Sequence, residues 1–331
     1  MKLFLKLFHW PGKNLTLAIP AILIIGFVVG NSVNTGFLKS IILPATFVMI
    51  YPTMIGFQLR QAVNTSYLKV VMVAMAVNFV LIPAIAYLLG SLLLSPEPLA
   101  MAGLILASLL PTSGMTISWT MLYKGNVPAA IKMTALGLIL GSFLAPWYLQ
   151  FLIGKTVPVQ VGQIFLTIAL VVLIPLLLGN VTYRLILEHY SPKQFQEKIK
   201  PLLPSLSIWA MLVVIFSSIS MRAPLIISNP SAIWQSLGVL ILFYIINFSV
   251  STLIARQFFA AEDAIALVYG TVMRNLSLAL GLAINTFGVE AALIVTLAFI
   301  IQVQGAAWYG KLANRFNLLA SKQIKGGLKN A

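Results

Sequence analysis

Apolar runs about twenty residues long recur along this chain from near its first residue to near its last, and few charges interrupt them. A helix needs about 20 apolar residues to cross a hydrocarbon core of about 30 Å. Only helices and closed barrels satisfy their backbone polar groups there, and barrel strands alternate where these runs do not. The fold class expected is an all-α polytopic membrane protein. Ten spans can be drawn: Leu15 to Gly30, Leu38 to Gly56, Leu68 to Leu89, Leu99 to Leu122, Val127 to Phe151, Val161 to Leu178, Leu203 to Ile219, Ile233 to Ala255, Ala264 to Phe287 and Val289 to Ala307. With 60% of residues hydrophobic and 8% charged, no stretch is left for a soluble domain.

The charge that remains is sorted by side. Lys2, Lys6, Lys13, Arg60, Lys69, Lys124, Lys132, Arg184, Lys193, Lys198, Lys200, Arg256, Lys311, Arg315, Lys322, Lys325 and Lys329 fall on one side of the ten spans. Lys39, Lys155 and Arg222 fall on the other. Positive charge gathers in cytoplasmic loops, so both termini are expected in the cytoplasm, with the protein multi-pass in the plasma or inner membrane. Reading Met1 to Gly30 as a cleaved signal would leave nine spans and spoil this sorting. The net charge of +15 therefore reflects topology and not nucleic acid, which would need a basic soluble surface. Residues 182–202 form the one extended polar loop, and 308–331 a basic cytoplasmic tail.

Enzyme and metal chemistry find no candidates. Cysteine is absent, the six acids lie in loops or at span ends, and His9 and His189 lie outside the spans. No catalytic residue, metal site or cofactor is expected, and no buried carboxylate relay for protons.

Two stretches echo each other position by position at one constant offset: Val127-Pro-Ala-Ala-Ile-Lys-Met-Thr134 and Val289-Glu-Ala-Ala-Leu-Ile-Val-Thr296. Asn78-Phe79 and Asn247-Phe248 add a looser match. Five spans in each half, about 15–151 and about 161–307, would invert the second half relative to the first, the plan of many secondary transporters. Equivalent spans are broken. Leu110-Pro-Thr-Ser-Gly-Met115 interrupts the fourth, and Tyr269-Gly-Thr-Val-Met-Arg-Asn275 the ninth. Pro44, Pro52, Pro83, Pro146 and Pro175 read as ordinary kinks.

Arg274 is the one charge deep inside an apolar run. A charge at that depth costs about 2.5–3.5 kcal/mol on insertion scales, so it needs a partner or a purpose. Two readings stand: a fork that binds a carboxylate or oxyanion together with Asn275, Thr112, Ser113, Thr116 and Thr271, or a built-in cation capping the carbonyl ends of the broken helices.

On Pro111 to Thr134, reading PTSGMTISWTMLYKGNVPAAIKMT, and on Met273 to Ala279, the chain resembles the bile acid:sodium symporter family and its arsenite-permease relatives. Tyr51 to Ile55 and Thr286 to Val289 resemble the arsenite-permease branch. The resemblance spans essentially all ten segments. It implies a ten-helix inverted-repeat fold with discontinuous, crossing fourth and ninth helices, and transport of a small organic anion by alternating access. Matched on Gly125 and Asn126, the family's sodium ligands fall on Thr116, Ile117, Ala130, Thr134, Gly270, Arg274 and Asn275. In the fourth and fifth helices only Thr116 and Thr134 keep a ligand oxygen, and the ninth helix has lost its carboxylate. These departures argue against sodium coupling of the family's form. Arsenite export lacks its cysteine and its ninth-helix acid. An oxyanion efflux permease is the alternative transporter, and a channel or ligand sensor the alternative class. The expected partners are a small anionic solute and the lipid bilayer.

Overall fold

A computed structural model describes residues 2–57, 66–228 and 230–319, and its described residues form helices joined by short connections. We number them α1 (Lys2–Lys13), α2 (Leu15–Ser32), α3 (Lys39–Met54), α4 (Leu68–Leu93), α5 (Pro98–Leu109), α6 (Gly114–Leu122), α7 (Val127–Ile153), α8 (Val161–His189), α9 (Leu203–Ser228), α10 (Pro230–Phe258), α11 (Ala261–Val272), α12 (Leu276–Thr286) and α13 (Val289–Arg315). Seven of these segments are long and apolar enough to cross a membrane unaided, and the pair α1–α2, bent by 92°, is an eighth candidate. Two broken pairs, α5 with α6 and α11 with α12, lie where the sequence places the fourth and ninth spans.

Several boundaries differ from the sequence reading, each because a helix continues past its apolar run. The loop at 182–202 is largely helical, since α8 extends to His189 and Phe195–Ile199 forms a further turn. The last span runs on to Arg315, so Lys311 sits on a helix and not in a tail. At the start, α1 is a separate helix: Trp209 Nε1 donates to the Phe8 carbonyl at 3.0 Å and His9 Nδ1 lies 2.6 Å from Ser205 Oγ. Arg60, Lys322, Lys325 and Lys329 lie outside the described residues.

The helices form two groups. In one, α9 packs along α2 and α3, and α8 packs on α3. A Cβ on Gly30 of α2 would overlap the backbone of Ser220 in α9, the close approach that small residues permit between membrane helices. The other group comprises α4–α7 and α10–α13, with α13 lying so close on α5 that a Cβ on Gly103 would overlap the Ala291 carbonyl. The groups meet chiefly through α9 with α13, α2 with α13, and α12 with α3 and α8. By contrast, α6 and α11 pack mainly on α4, α7, α10 and each other, all within the second group.

Contacts also gather the ends that the charge pattern sorts together. Asn126 Nδ2 donates to Asp263 Oδ1 at 2.7 Å, Lys132 Nζ donates to the Ser66 carbonyl at 3.0 Å, and Lys69 lies over the Phe259 ring. At the opposite end Arg222 of α9 pairs with Glu290 of α13, joining the two groups.

The offset between the two echoing stretches extends to whole elements. The spacing that separates Val127 from Val289, where α7 and α13 begin, also separates Ile153 from Arg315, where they end. It separates Gly114 from Leu276 as well, the first residues of α6 and α12.

Candidate functional site: the crossing of the broken helices

Helix α5 ends at Leu109 because Pro111 has no N–H to continue it. Helix α11 ends at Val272 without a proline, and Met273 turns to extended backbone. The two interruptions lie antiparallel: Thr112 N–H donates to the Met273 carbonyl at 2.9 Å, and Asn275 N–H donates to the Leu110 carbonyl at 2.8 Å. Pro111 and Arg274 face each other in this bridge. Two ladder bonds thus replace the helical bonds that each break gives up. Thr112 sits at φ 59°, a left-handed conformation that costs a β-branched residue about 1–3 kcal/mol.

Beyond the crossing both chains resume as helices, and the capping residues are those the sequence singles out. Ser113 Oγ accepts from Met115 N–H, while Thr116 Oγ1 accepts from Ser113 N–H, a reciprocal cap on α6. Asn275 Oδ1 accepts from Leu278 N–H at 3.3 Å and caps α12. Two helix N-termini and two helix C-termini therefore converge on one point inside the protein.

Arg274 sits at that point, 1% exposed. Its Nη1 donates to Asn78 Oδ1 at 2.6 Å and to the Thr271 carbonyl at 2.7 Å, and its Nη2 donates to the Ser108 carbonyl. Thr271 lies in the last turn of α11 and Ser108 in the last turn of α5. Each helix C-terminus carries the equivalent of about −0.5 charge, so the two together match one guanidinium. The charge is offset by dipoles, with no carboxylate in the arrangement. Nε is buried and has no partner among the described residues.

A second layer fixes the arginine backbone. Gln302 of α13 accepts from Arg274 N–H at 2.7 Å and donates to its carbonyl at 3.2 Å, while Tyr244 of α10 donates to the same glutamine oxygen. Asn78 donates through its amide nitrogen to the Gly270 carbonyl at 2.9 Å. Asn78 lies in a π-turn of α4 at Val77–Leu81, a widening common at functional sites. Pro83 leaves the Phe79 carbonyl without a helical donor, and the Tyr148 hydroxyl donates to it. Pro83 and Pro175 both follow π-turns, so neither is a plain kink.

The structure brings Arg274, Asn275, Thr112, Ser113, Thr116 and Thr271 to one crossing, with their side chains doing different work. Thr271 Oγ1 donates to Ser251 Oγ and to carbonyls of its own helix; Thr112 Oγ1 donates to the Pro111 carbonyl; Thr134 Oγ1 donates to the Ala130 carbonyl. Gln302, Ser108 and Tyr244 are missing from the sequence reading. Gln302 carries a signal, being a polar residue inside the last apolar span, whereas Ser108 contributes only its backbone. Asn247, which the sequence matches only loosely to Asn78, is buried with neither amide atom partnered among the described residues. At the offset that relates α7 to α13, the first-half counterpart of Arg274 is Thr112, too short to offer a fork.

Two cavities open elsewhere. One of about 240 Å³ is lined by Tyr123, Tyr269, Tyr309 and Asn314, and one of about 510 Å³ by Asn31, Ser32, Asn34 and Lys39. Neither includes the crossing. What is exposed near the crossing is one face of α6: Gly114, Ser118, Met121 and Leu122.

Crossed broken helices inside a bundle of apolar spans define an integral membrane protein of the transporter class. The chain belongs to the sodium bile acid symporter family, whose model matches residues 43–229. It is similar to the uncharacterized protein YbaS of Bacillus subtilis (strain 168), 27% identical over 74% of this chain and 79% of that protein. It is 31% identical to the probable sodium/metabolite cotransporter BASS1, chloroplastic, of Oryza sativa subsp. japonica, over 46% of this chain; it spans 36% of that protein's length. A third relative, the uncharacterized sodium-dependent transporter YocS of Bacillus subtilis (strain 168), is 23% identical over 66% of this chain and 65% of its own.

Proposed function

We propose that this protein is a secondary active transporter that moves a small organic anion by alternating access. The α2, α3, α8 and α9 group serves as a panel against which the rest of the molecule rocks, within one transporter domain of two inverted repeats. The observation that carries this reading is the convergence of four helix ends on a buried crossing, beside an α6 face that the panel does not cover among the described residues. Discontinuous helices at the interface of two repeats are where transporters hold their solutes.

The anion is favoured by the direction of the helices. Ser113 and Gly114 stand at the N-terminus of α6, and Gly114 is exposed. The cap takes up the Ser113 and Met115 N–H groups, and the helix N-terminus still presents a partial positive charge. Arg274 is read as the structural cation of the crossing and not as a ligand to the solute, because a solute reaching it would have to displace Asn78 or the two carbonyls. The protein lies in the cell membrane with its basic ends and both termini in the cytoplasm.

A thermal-unfolding screen of the purified protein tests this, with acetate, pyruvate, succinate and taurocholate set against sulfate, phosphate and arsenite. At least one carboxylate should raise the midpoint, and Ser118→Trp should abolish the rise. No response to any carboxylate, alongside stabilisation by an inorganic oxyanion, would overturn the substrate class.

A further inference from the structure

The family's name and those of two relatives imply sodium, so the crossing can be asked whether it fits a hard monovalent cation. Such a cation is held by several oxygens, with carboxylates the strongest among them. Around the crossing the oxygens are already committed. Ser108 O, Thr271 O and Asn78 Oδ1 accept from the guanidinium of Arg274, Gly270 O accepts from Asn78, and the Arg274 carbonyl accepts from Gln302. Leu110 O and Met273 O close the bridge between the two breaks. Of the other positions matched to ion ligands, Ile117, Ala130 and Gly270 offer no side-chain oxygen, Thr116 Oγ1 and Asn275 Oδ1 accept from Ser113 N–H and Leu278 N–H as helix caps, and the Thr134 hydroxyl is turned back on its own helix. Among the described residues no cluster of acids and histidines offers an alternative. The donor set does not fit sodium.

We infer that Arg274 is a resident cation: its guanidinium permanently neutralises the carbonyl ends of α5 and α11, so this chain holds its crossed helices together without sodium. The physical requirement is one positive charge where two helix C-termini meet in a medium that screens poorly. A diffusible ion meets it only when bound, whereas a side chain meets it in every state of the protein. Arg274 is thus a positioning residue that sets ion dependence. The extension to a sodium-independent transport cycle rests on the transporter reading above; the claim about the folded state does not.

The test uses purified full-length protein and no solute, so its outcome is separate from whether any anion is carried. Thermal midpoints are measured in sodium, potassium and choline chloride at equal ionic strength, for wild type, Arg274→Lys and Arg274→Gln. Wild type and Arg274→Lys should show the same midpoint in all three salts. Arg274→Gln should fall by several degrees in choline and recover part of the loss in sodium, or on adding guanidinium chloride well below denaturing concentration. A merely structural hydrogen bond would not respond to the identity of the cation. A wild-type midpoint that rises in sodium over choline overturns the inference, as does an Arg274→Gln variant as stable as wild type in every salt. If the glutamine variant cannot be purified, the wild-type salt series and the lysine variant decide alone, and sodium dependence in either overturns it.

Discussion

Among the described residues the guanidinium of Arg274 has one side-chain partner, Asn78, and two backbone ones. That makes Asn78 the residue through which the crossing can be weakened without touching the charge. Asn78→Leu leaves Nη1 with one acceptor fewer and the Gly270 carbonyl without a donor. Unsatisfied buried polar groups cost about 1–3 kcal/mol each, so the thermal midpoint should drop by several degrees. Asn247→Leu removes an amide with no partner and should leave the midpoint unchanged or raise it. Equal losses at the two asparagines would show that Asn78 stabilises by packing and not through its bonds. At this scale the sequence is legible where a residue type is out of place. An arginine in an apolar run announces itself, whereas its partners are two carbonyls that any residue could supply and one asparagine that resembles an ordinary interhelical bond. The capping roles of Ser113, Thr116 and Asn275 are encoded in residue type, but that their caps converge depends on which breaks lie side by side.

Elements repeat where residues have drifted. One offset relates the bounds of α7 to those of α13 and the start of α6 to that of α12, although few side chains match across it. Spans and breaks were legible because twenty apolar residues and a Pro-Thr-Ser-Gly run have direct physical consequences. The π-turns were not, because a proline signals a lost hydrogen bond without saying what replaces it. Helix α7 shows how packing against the crossing is enforced. A Cβ on Gly137 would stand 2.6 Å from Thr112 Oγ1 and 3.2 Å from the Pro111 carbonyl, so α7 can approach the break only where a side chain is missing. Gly137→Ala should therefore destabilise the protein by about 1–3 kcal/mol through overpacking, despite alanine's better helix propensity. Gly162→Ala, in α8 with nothing within 4 Å of the added atom, is the control and should be neutral or mildly stabilising. Thermal midpoints of the two variants check this; an unaffected Gly137→Ala would mean that the crossing yields to α7.

For the whole molecule the decisive contrast is where the two helix groups touch. Arg222 in α9 and Glu290 in α13 pair across the groups at the end opposite the basic loops, and Gly281 of α12 packs closely on Thr46 of α3. The half-helices α6 and α11 have no comparable contact with the panel among the described residues. Breaking the ion pair should weaken closure at that end and shift the population toward the opposite conformation. A partly exposed pair is worth about 1 kcal/mol or less, which still changes a near-balanced equilibrium several-fold. The absence of cysteine makes this measurable, since single thiols can be introduced without a background. Ser118→Cys, on the exposed face of α6, should react with a polar maleimide in the parent protein and more slowly once Glu290→Gln is added. The charge swap Arg222→Glu with Glu290→Arg should restore the parent rate, because it keeps the attraction and reverses only its polarity. If Glu290→Gln leaves the Ser118→Cys rate unchanged, the pair is a surface ornament and the balance between conformations is set instead by the apolar contact of α12 with α3. In that case widening the contact with Thr46→Ala, and not editing charges, should change the labelling rate.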